Sequence, residues 1–185
     1  VQQAGSLVDA ARLRFDFSHE GPVADEKLAD IEAEVNAQVR ANLAVTTEEM
    51  PFKDAMAAGA LAFFGDKYGE RVRVVEVPGF SREFCGGTHV RQTGDIGLFL
   101  VTSEQGISAG TRRVEALTGE AAIERAREDQ GILEELEQAA KTGRRSLVDE
   151  YARMRDEIKD LRRRNDELKR KAATAGGALA EGDIL

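Results

Sequence analysis

Cys85-Gly86-Gly87-Thr88-His89 follows Arg82-Glu83-Phe84 and lies between two β-rich runs, residues 71–77 and 96–102. It contains the only cysteine of the chain and one of its two histidines. Thiolate and imidazole are the ligands zinc prefers, and a glycine-rich turn can bring both onto one ion. Gly86 and Gly87 allow positive φ and let a metal or a substrate approach the backbone without meeting a Cβ. The glycines also rule out a plain strand or helix here, so the segment is a connection held by rigid elements, a common place for functional residues. A lone C-x3-H is half a zinc site, and a lone cysteine can equally be a small core residue.

Outward from this turn the chain reads as an α+β domain. Leu13-Arg14-Phe15-Asp16-Phe17 alternates strictly and predicts a half-buried strand. Before it, Ala4-Gly5-Ser6 reads as a turn. Ser18 to Pro22 stops the strand, and Ser18 or Asp25 can cap the next element. Leu28, Ile31, Val35, Val39 and Leu43 form one stripe of an amphipathic helix over residues 25–43. Pro51 opens a shorter helix over 52–58, and residues 65–69 read as a loop. Residues 71–77, 96–102 and 109–117 predict strands, with Glu104-Gln105-Gly106 as a separator. The first 118 residues thus form a largely antiparallel sheet with helices packed on it.

After residue 118 the character changes. Residues 121–140 are helical, Gly143 suits a C′ position, and Ser146 restarts a helix. Leu147, Met154, Leu161 and Leu168 recur every seven residues, and Tyr151, Ile158, Asn165 and Ala172 do the same. This heptad seam predicts a helical hairpin within the chain or a coiled coil with a second chain, giving a possible homodimer. Ala175-Gly176-Gly177 releases the chain into a linker. The expected organisation is 1–118, a domain shortened at its N-terminus; 119–174, a helical hairpin or coiled coil; and 175–185, a linker toward a further domain.

The totals narrow the function. The chain has 185 residues with a net charge of −8, which argues against nucleic-acid binding by bulk charge. Residues 144–171 nevertheless carry 11 basic against 7 acidic side chains, with Arg162-Arg163-Arg164 and Lys169-Arg170-Lys171 the densest points. That is a solvated helix face or a phosphate contact. No run approaches a membrane span. One cysteine excludes an internal disulfide and fits a reducing cytosol, so a cytoplasmic protein is expected. The chain begins with Val and has no signal peptide, which suggests a fragment. Zinc needs three or four ligands, and Cys85, His89 and His19 are the whole Cys/His inventory. His19 stands beside Gly21-Pro22 at a strand end, where a capping or exposed role is expected.

Cys85-Gly86-Gly87-Thr88-His89 resembles the second half of the zinc motif of alanyl-tRNA synthetase editing domains. Threonyl-tRNA synthetase editing domains and free-standing editing proteins are related. Gln3-Ala4-Gly5-Ser6-Leu7-Val8, Leu13 to His19, Phe64-Gly65-Asp66-Lys67-Tyr68-Gly69 and Arg112-Arg113-Val114-Glu115-Ala116 read as that family's segments, in order. The helical tail resembles the linker before the family's C-terminal dimerisation and tRNA-elbow domain. The resemblance implies hydrolysis of Ser or Gly wrongly attached to tRNA(Ala), needed because an alanine pocket cannot exclude glycine sterically and rejects an added hydroxyl poorly. It implies Cys85 and His89 as metal ligands, with Gln3 joining them in catalysis. Gly86, Gly87, Thr88 and Arg112 would contact substrate. The family takes two further ligands from an upstream H-x3-H that this sequence lacks, so zinc is expected to be weak or absent and deacylation slow. ATP would bind only at the parent enzyme's charging site, outside this stretch. A free-standing or threonyl-type deacylase and a non-catalytic coiled-coil module are the alternatives.

Overall fold

In the computed structural model, residues 1–62 and 68–180 are described, with side chains through residue 173. The chain divides into two units, Val1–Ala126 and Arg127–Leu185, so the boundary falls within a helix and later than residue 118.

The first unit is α+β, as the alternation and stripe predict. A four-stranded antiparallel sheet has the order β1-β2-β7-β6, built from β1 (Gln3–Val8), β2 (Leu13–Ser18), β6 (Phe99–Ser108) and β7 (Thr111–Thr118). A second antiparallel sheet has the order β3-β4-β5, built from β3 (Thr46–Pro51), β4 (Arg71–Val77) and β5 (Ser81–Phe84). Helix α1 (Asp25–Ala41) follows β2, and α2 (Phe52–Ala57) follows β3.

Several local expectations are corrected. Residues 3–8 are a strand rather than a turn, because β2 offers them an edge. Gly5 sits where the β1–β2 register shifts, opposite Asp16. α1 is preceded by Ala24 with no side-chain cap, and neither Ser18 nor Asp25 serves. β3 and β5 escape the sequence pattern because Glu48-Glu49 and Arg82-Glu83 mask it; each gains its partners from β4. Residues 93–96 form a 3-10 turn, in which the Asp95 carboxylate accepts the Gln92 N–H at 3.2 Å. β6 then runs straight through residues 104–106, absorbing two irregularities, at Val101/Ser103 and Gly106/Ser108. The segment 63–67, which holds most of the expected 65–69 loop, lies outside the described residues.

The second sheet holds a buried cluster of Ala55, Ala60, Val72, Val74 and Phe84. Phe52, Tyr68 and Phe84 meet in aromatic contacts, Tyr68 and Phe84 edge to face at 5.0 Å. Phe84 is the residue before Cys85, so the turn leaves the sheet directly from this buried cluster. The stripe of α1 faces the first sheet without closing on it. No residue of α1 is fully buried, and Leu28, Ile31 and Val35 line an apolar cavity of about 570 Å³ with Phe15, Phe17 and Val114.

In the second unit, α3 (Gly119–Ala140) continues and α4 (Leu147–Ala180) follows. Lys141, at φ 51°, takes the left-handed position expected of Gly143, and the Thr142 N–H closes on Glu137 O at 3.2 Å. Ser146 closes a short 3-10 turn before α4, and α4 continues past Ala175-Gly176-Gly177 to Ala180, where a linker was expected. α3 and α4 do not pack along their length as a hairpin. Met154, Ile158, Leu161 and Leu168 on the seam are 40%, 50%, 54% and 65% exposed.

Candidate functional site

Cys85 begins where β5 ends. Its N–H donates to Arg73 O on β4 at 3.2 Å, one step beyond the last ladder pair, Val74 with Phe84. Downstream the chain is tied again. Val45 N–H donates to Arg91 O at 2.8 Å, Gln92 bridges Ala44, and Thr93 N–H donates to Leu43 O at 2.8 Å. The buried Thr93 hydroxyl donates to Gln38 O at 2.6 Å and accepts Leu43 N–H at 2.9 Å. The turn 85–90 therefore hangs between a strand end and the C-terminus of α1.

Within it, Cys85 Sγ lies 3.5 Å and His89 Nε2 lies 3.9 Å from the position a Cβ on Gly87 would occupy. The thiol and the imidazole thus approach one common point. Cys85 is half-buried; Gly86, Gly87, Thr88 and His89 are exposed. Neither Gly86 nor Gly87 has positive φ, so conformational freedom is not what these glycines supply. What they leave is bare backbone: a Cβ at 86 would meet nothing within 4 Å, and one at 87 would touch both donors at ordinary contact distances.

The donor set suits a soft divalent metal, since one thiolate and one imidazole are half of a tetrahedral zinc shell. Among the described residues no group of three or more Cys, His, Asp or Glu is placed to hold a metal ion. His19 stands elsewhere: its Nδ1 is 2.7 Å from Gly21 O, and its ring meets Phe17 edge-on at 6.3 Å.

The other expected site residues fall on the first sheet. Gln3 is half-buried at the irregular end of β1, its Nε2 donating to Ser6 Oγ at 2.9 Å. Gln3 pairs with Phe17, and Phe17 pairs with Arg112, so Gln3 and Arg112 share one row across β1, β2 and β7. The Arg112 guanidinium is bound to Glu104, Nε to Oε1 at 2.5 Å and Nη2 to Oε2 at 2.6 Å. This pairing, with burial opposing it, holds the Glu104 carboxyl below its ordinary range. Arg113 grips Asp16 on the same sheet, at 2.7 and 2.9 Å, and likewise depresses the Asp16 carboxyl. The structure thus places Cys85 Sγ and His89 Nε2 both near Gly87 and aligns Gln3 with Arg112 in one sheet row.

Sequence reading missed Arg73. Its Nη1 donates to Cys85 O and to Gly87 O, both at 2.6 Å. Only its place on the alternation of β4, level with the start of the turn, could have pointed to it. An open cleft of about 410 Å³ adjoins the turn, lined among others by Tyr68, Arg71, Arg73, Cys85 and Gly86.

Residues 72–115 match the family model described as the threonyl and alanyl tRNA synthetase second additional domain. The chain is 50% identical over 180 residues to an alanine--tRNA ligase of Idiomarina loihiensis, covering 97% of this chain and 21% of that protein. It is 49% identical over 178 residues to that of Nitrosococcus oceani, covering 96% and 20%. To the alanine--tRNA ligase of Methylococcus capsulatus it is 48% identical over 178 residues, covering 96% and 20%. The chain spans about a fifth of the length of these relatives.

Proposed function

We propose that this chain, which aligns along nearly its whole length with about a fifth of an alanine--tRNA ligase and matches the second additional domain over residues 72–115, is an editing module that hydrolyses the ester of wrongly charged tRNA(Ala). The observation that supports this reading is the approach of Cys85 Sγ and His89 Nε2 to one point over Gly87. A thiol buried in apolar surroundings and turned from the imidazole would instead have favoured a purely structural module.

In this reading Cys85 and His89 hold zinc together with donors from outside residues 1–185. When bound, the metal supplies Lewis acidity toward an ester carbonyl or its attacking water. The chain's own residues do the rest. The bare backbone at Gly86 and Gly87 admits the aminoacyl ester and the terminal adenosine closely, and its N–H groups face the developing oxyanion. The cleft beside the turn seats the substrate, and Thr88, next in the chain after the lining residue Gly87, contacts it. Gln3 hydrogen-bonds the serine side chain, selecting serine by the hydroxyl that the charging site cannot reject. Arg112, already spent on Glu104, acts by fixing the sheet row on which Gln3 stands. Glycine, lacking that hydroxyl, is the second substrate and is held less tightly. ATP has no place in this module.

The test is hydrolysis of Ser-tRNA(Ala) by the intact polypeptide, comparing the parent with Cys85→Ala. Equal rates would remove the thiol from the reaction. Residues 1–185 alone bring two donors, so metal analysis of that piece should find well under one zinc per chain.

A second role rests on α4. Its exposed seam and basic face suit a joint between two copies of the chain and a contact with the tRNA backbone.

A further inference from the structure

We propose that Arg73 is the positioning residue that brings the Cys85 thiol and the His89 imidazole together. This rests on the reading of that pair as ligands. Arg73 sits on β4 between Val72 and Val74, both buried. Its backbone is fixed on both sides: it pairs with Glu49 of β3, and its carbonyl accepts the Cys85 N–H. From that fixed base Nη1 donates to the carbonyls of Cys85 and Gly87 at once.

The physical need for such a clamp is plain. Beyond Phe84 the turn has left the sheet ladder, and it contains the two residues with most backbone freedom to lose. Two carbonyl oxygens of one turn directed at the same point repel each other unless a donor stands between them. A guanidinium there makes two charge-assisted bonds, about twice as strong as neutral ones. With the carbonyls of residues 85 and 87 held, the peptide planes across Gly86 are set, and with them the directions from which Sγ and the chain to His89 depart. Nothing in this arrangement requires Arg73 to touch substrate.

The experiment is a cobalt(II) titration of the 185-residue chain, read by the thiolate-to-cobalt charge-transfer band, for the parent and for Arg73→Gln and Arg73→Lys. Amide exchange at Gly86 and Gly87 is measured on the same three proteins without metal. Losing an outer partner of a ligand costs about 10–100-fold in metal affinity, so Arg73→Gln should weaken cobalt binding by at least about tenfold. Its thermal midpoint should stay near the parent's. Lysine keeps the charge and three rotatable donors, so it should restore most of the affinity. The two glycine amides should exchange faster in Arg73→Gln and near the parent rate in Arg73→Lys. Unchanged cobalt affinity in Arg73→Gln would overturn the proposal, as would unchanged glycine exchange. A parent chain whose two donors give no thiolate band, but whose glycine exchange follows Arg73, would leave the clamp standing, and the metal reading then fails only if the intact polypeptide also holds no metal at Cys85.

Discussion

Asn36 on α1 holds the backbone of Phe99 at both ends: its Oδ1 accepts the Phe99 N–H at 3.0 Å and its Nδ2 donates to the Phe99 carbonyl at 2.7 Å. One turn earlier on the helix, Glu32 Oε2 accepts the N–H of Val101 at 2.7 Å. β6 is an edge strand, and α1 closes that edge with side chains where another strand would use its backbone. Replacing Asn36 by Leu keeps the volume and removes both partners. Each abandoned backbone group costs about 1–3 kcal/mol, so Asn36→Leu should lower the melting temperature clearly while Glu34→Leu, at an exposed position of the same helix, should not. Equal melting of the two variants would refute this account.

Acid should loosen the first sheet. The Asp16 and Glu104 carboxyls are held below their ordinary range by Arg113 and Arg112 respectively. A carboxyl whose folded pKa is depressed stabilises the fold above its unfolded pKa, and that contribution disappears as the pH falls through the folded value. Stability should therefore be level from neutral to about pH 5 and decline below about pH 4, where free carboxylates titrate. Asp16→Asn should be less stable at neutral pH and show a flatter acid limb. An unchanged acid limb in that variant would exclude the Asp16–Arg113 pair as the cause.

A methyl group at Gly106 would lie 2.8 Å from Arg112 Nη1. Arg112 must then shift, which disturbs the hold of its Nε and Nη2 on Glu104. Gly106→Ala should destabilise by about 1–2 kcal/mol in denaturant titration, an amount typical of a disturbed charged hydrogen bond. Combining it with Glu104→Gln should cost less than the sum of the two changes, since both act on one pair.

Gly87→Ala separates fold from site. Its Cβ would make only ordinary contacts, 3.5 Å to Cys85 Sγ and 3.9 Å to His89 Nε2, at a φ that is not positive. The melting temperature should hold, while cobalt or zinc binding and Ser-tRNA(Ala) hydrolysis in the intact polypeptide should fall. Retained hydrolysis with full metal content would show that the space over Gly87 is not used.

The seam of α4 gives a prediction about mass. Ile158 and Leu161 are half exposed on a helix whose heptads place Glu150 and Glu157 at one flank and Arg155 and Arg162 at the other. Sedimentation should show a concentration-dependent dimer, abolished by Ile158→Asp. A monomer at high concentration would remove the seam's role in assembly.

How much of the molecule was legible depends on where the signal lies. β2 showed itself because Leu13, Phe15 and Phe17 alternate with charged residues that pair across the sheet. α1 showed itself through its stripe. β3 and β5 stayed hidden because their charged positions are satisfied only by β4, a neighbour distant in sequence. β6 was cut short by reading Glu104-Gln105-Gly106 as a break; the glycine is there to make room for Arg112. That Cys85 and His89 lie on one turn was legible, because a glycine pair between residues four apart carries it. Arg73 was not, because a guanidinium that binds two carbonyls across a sheet leaves no local trace. Nor could the sequence show that Arg112 is engaged by Glu104.

The turn that carries the thiol and the imidazole is tethered at both ends, at Cys85 by Arg73 O and at Arg91 by Val45 N–H. Its span is consequently a fixed chord. Each residue contributes at most about 3.5 Å of reach, so a single deletion between Cys85 and Arg91 would pull the arc taut, and an insertion would let it sag. Side chains along that arc can be exchanged one by one, but its length behaves as a gauge block: the two donors keep their common focus only while the number of links between the tethers stays the same.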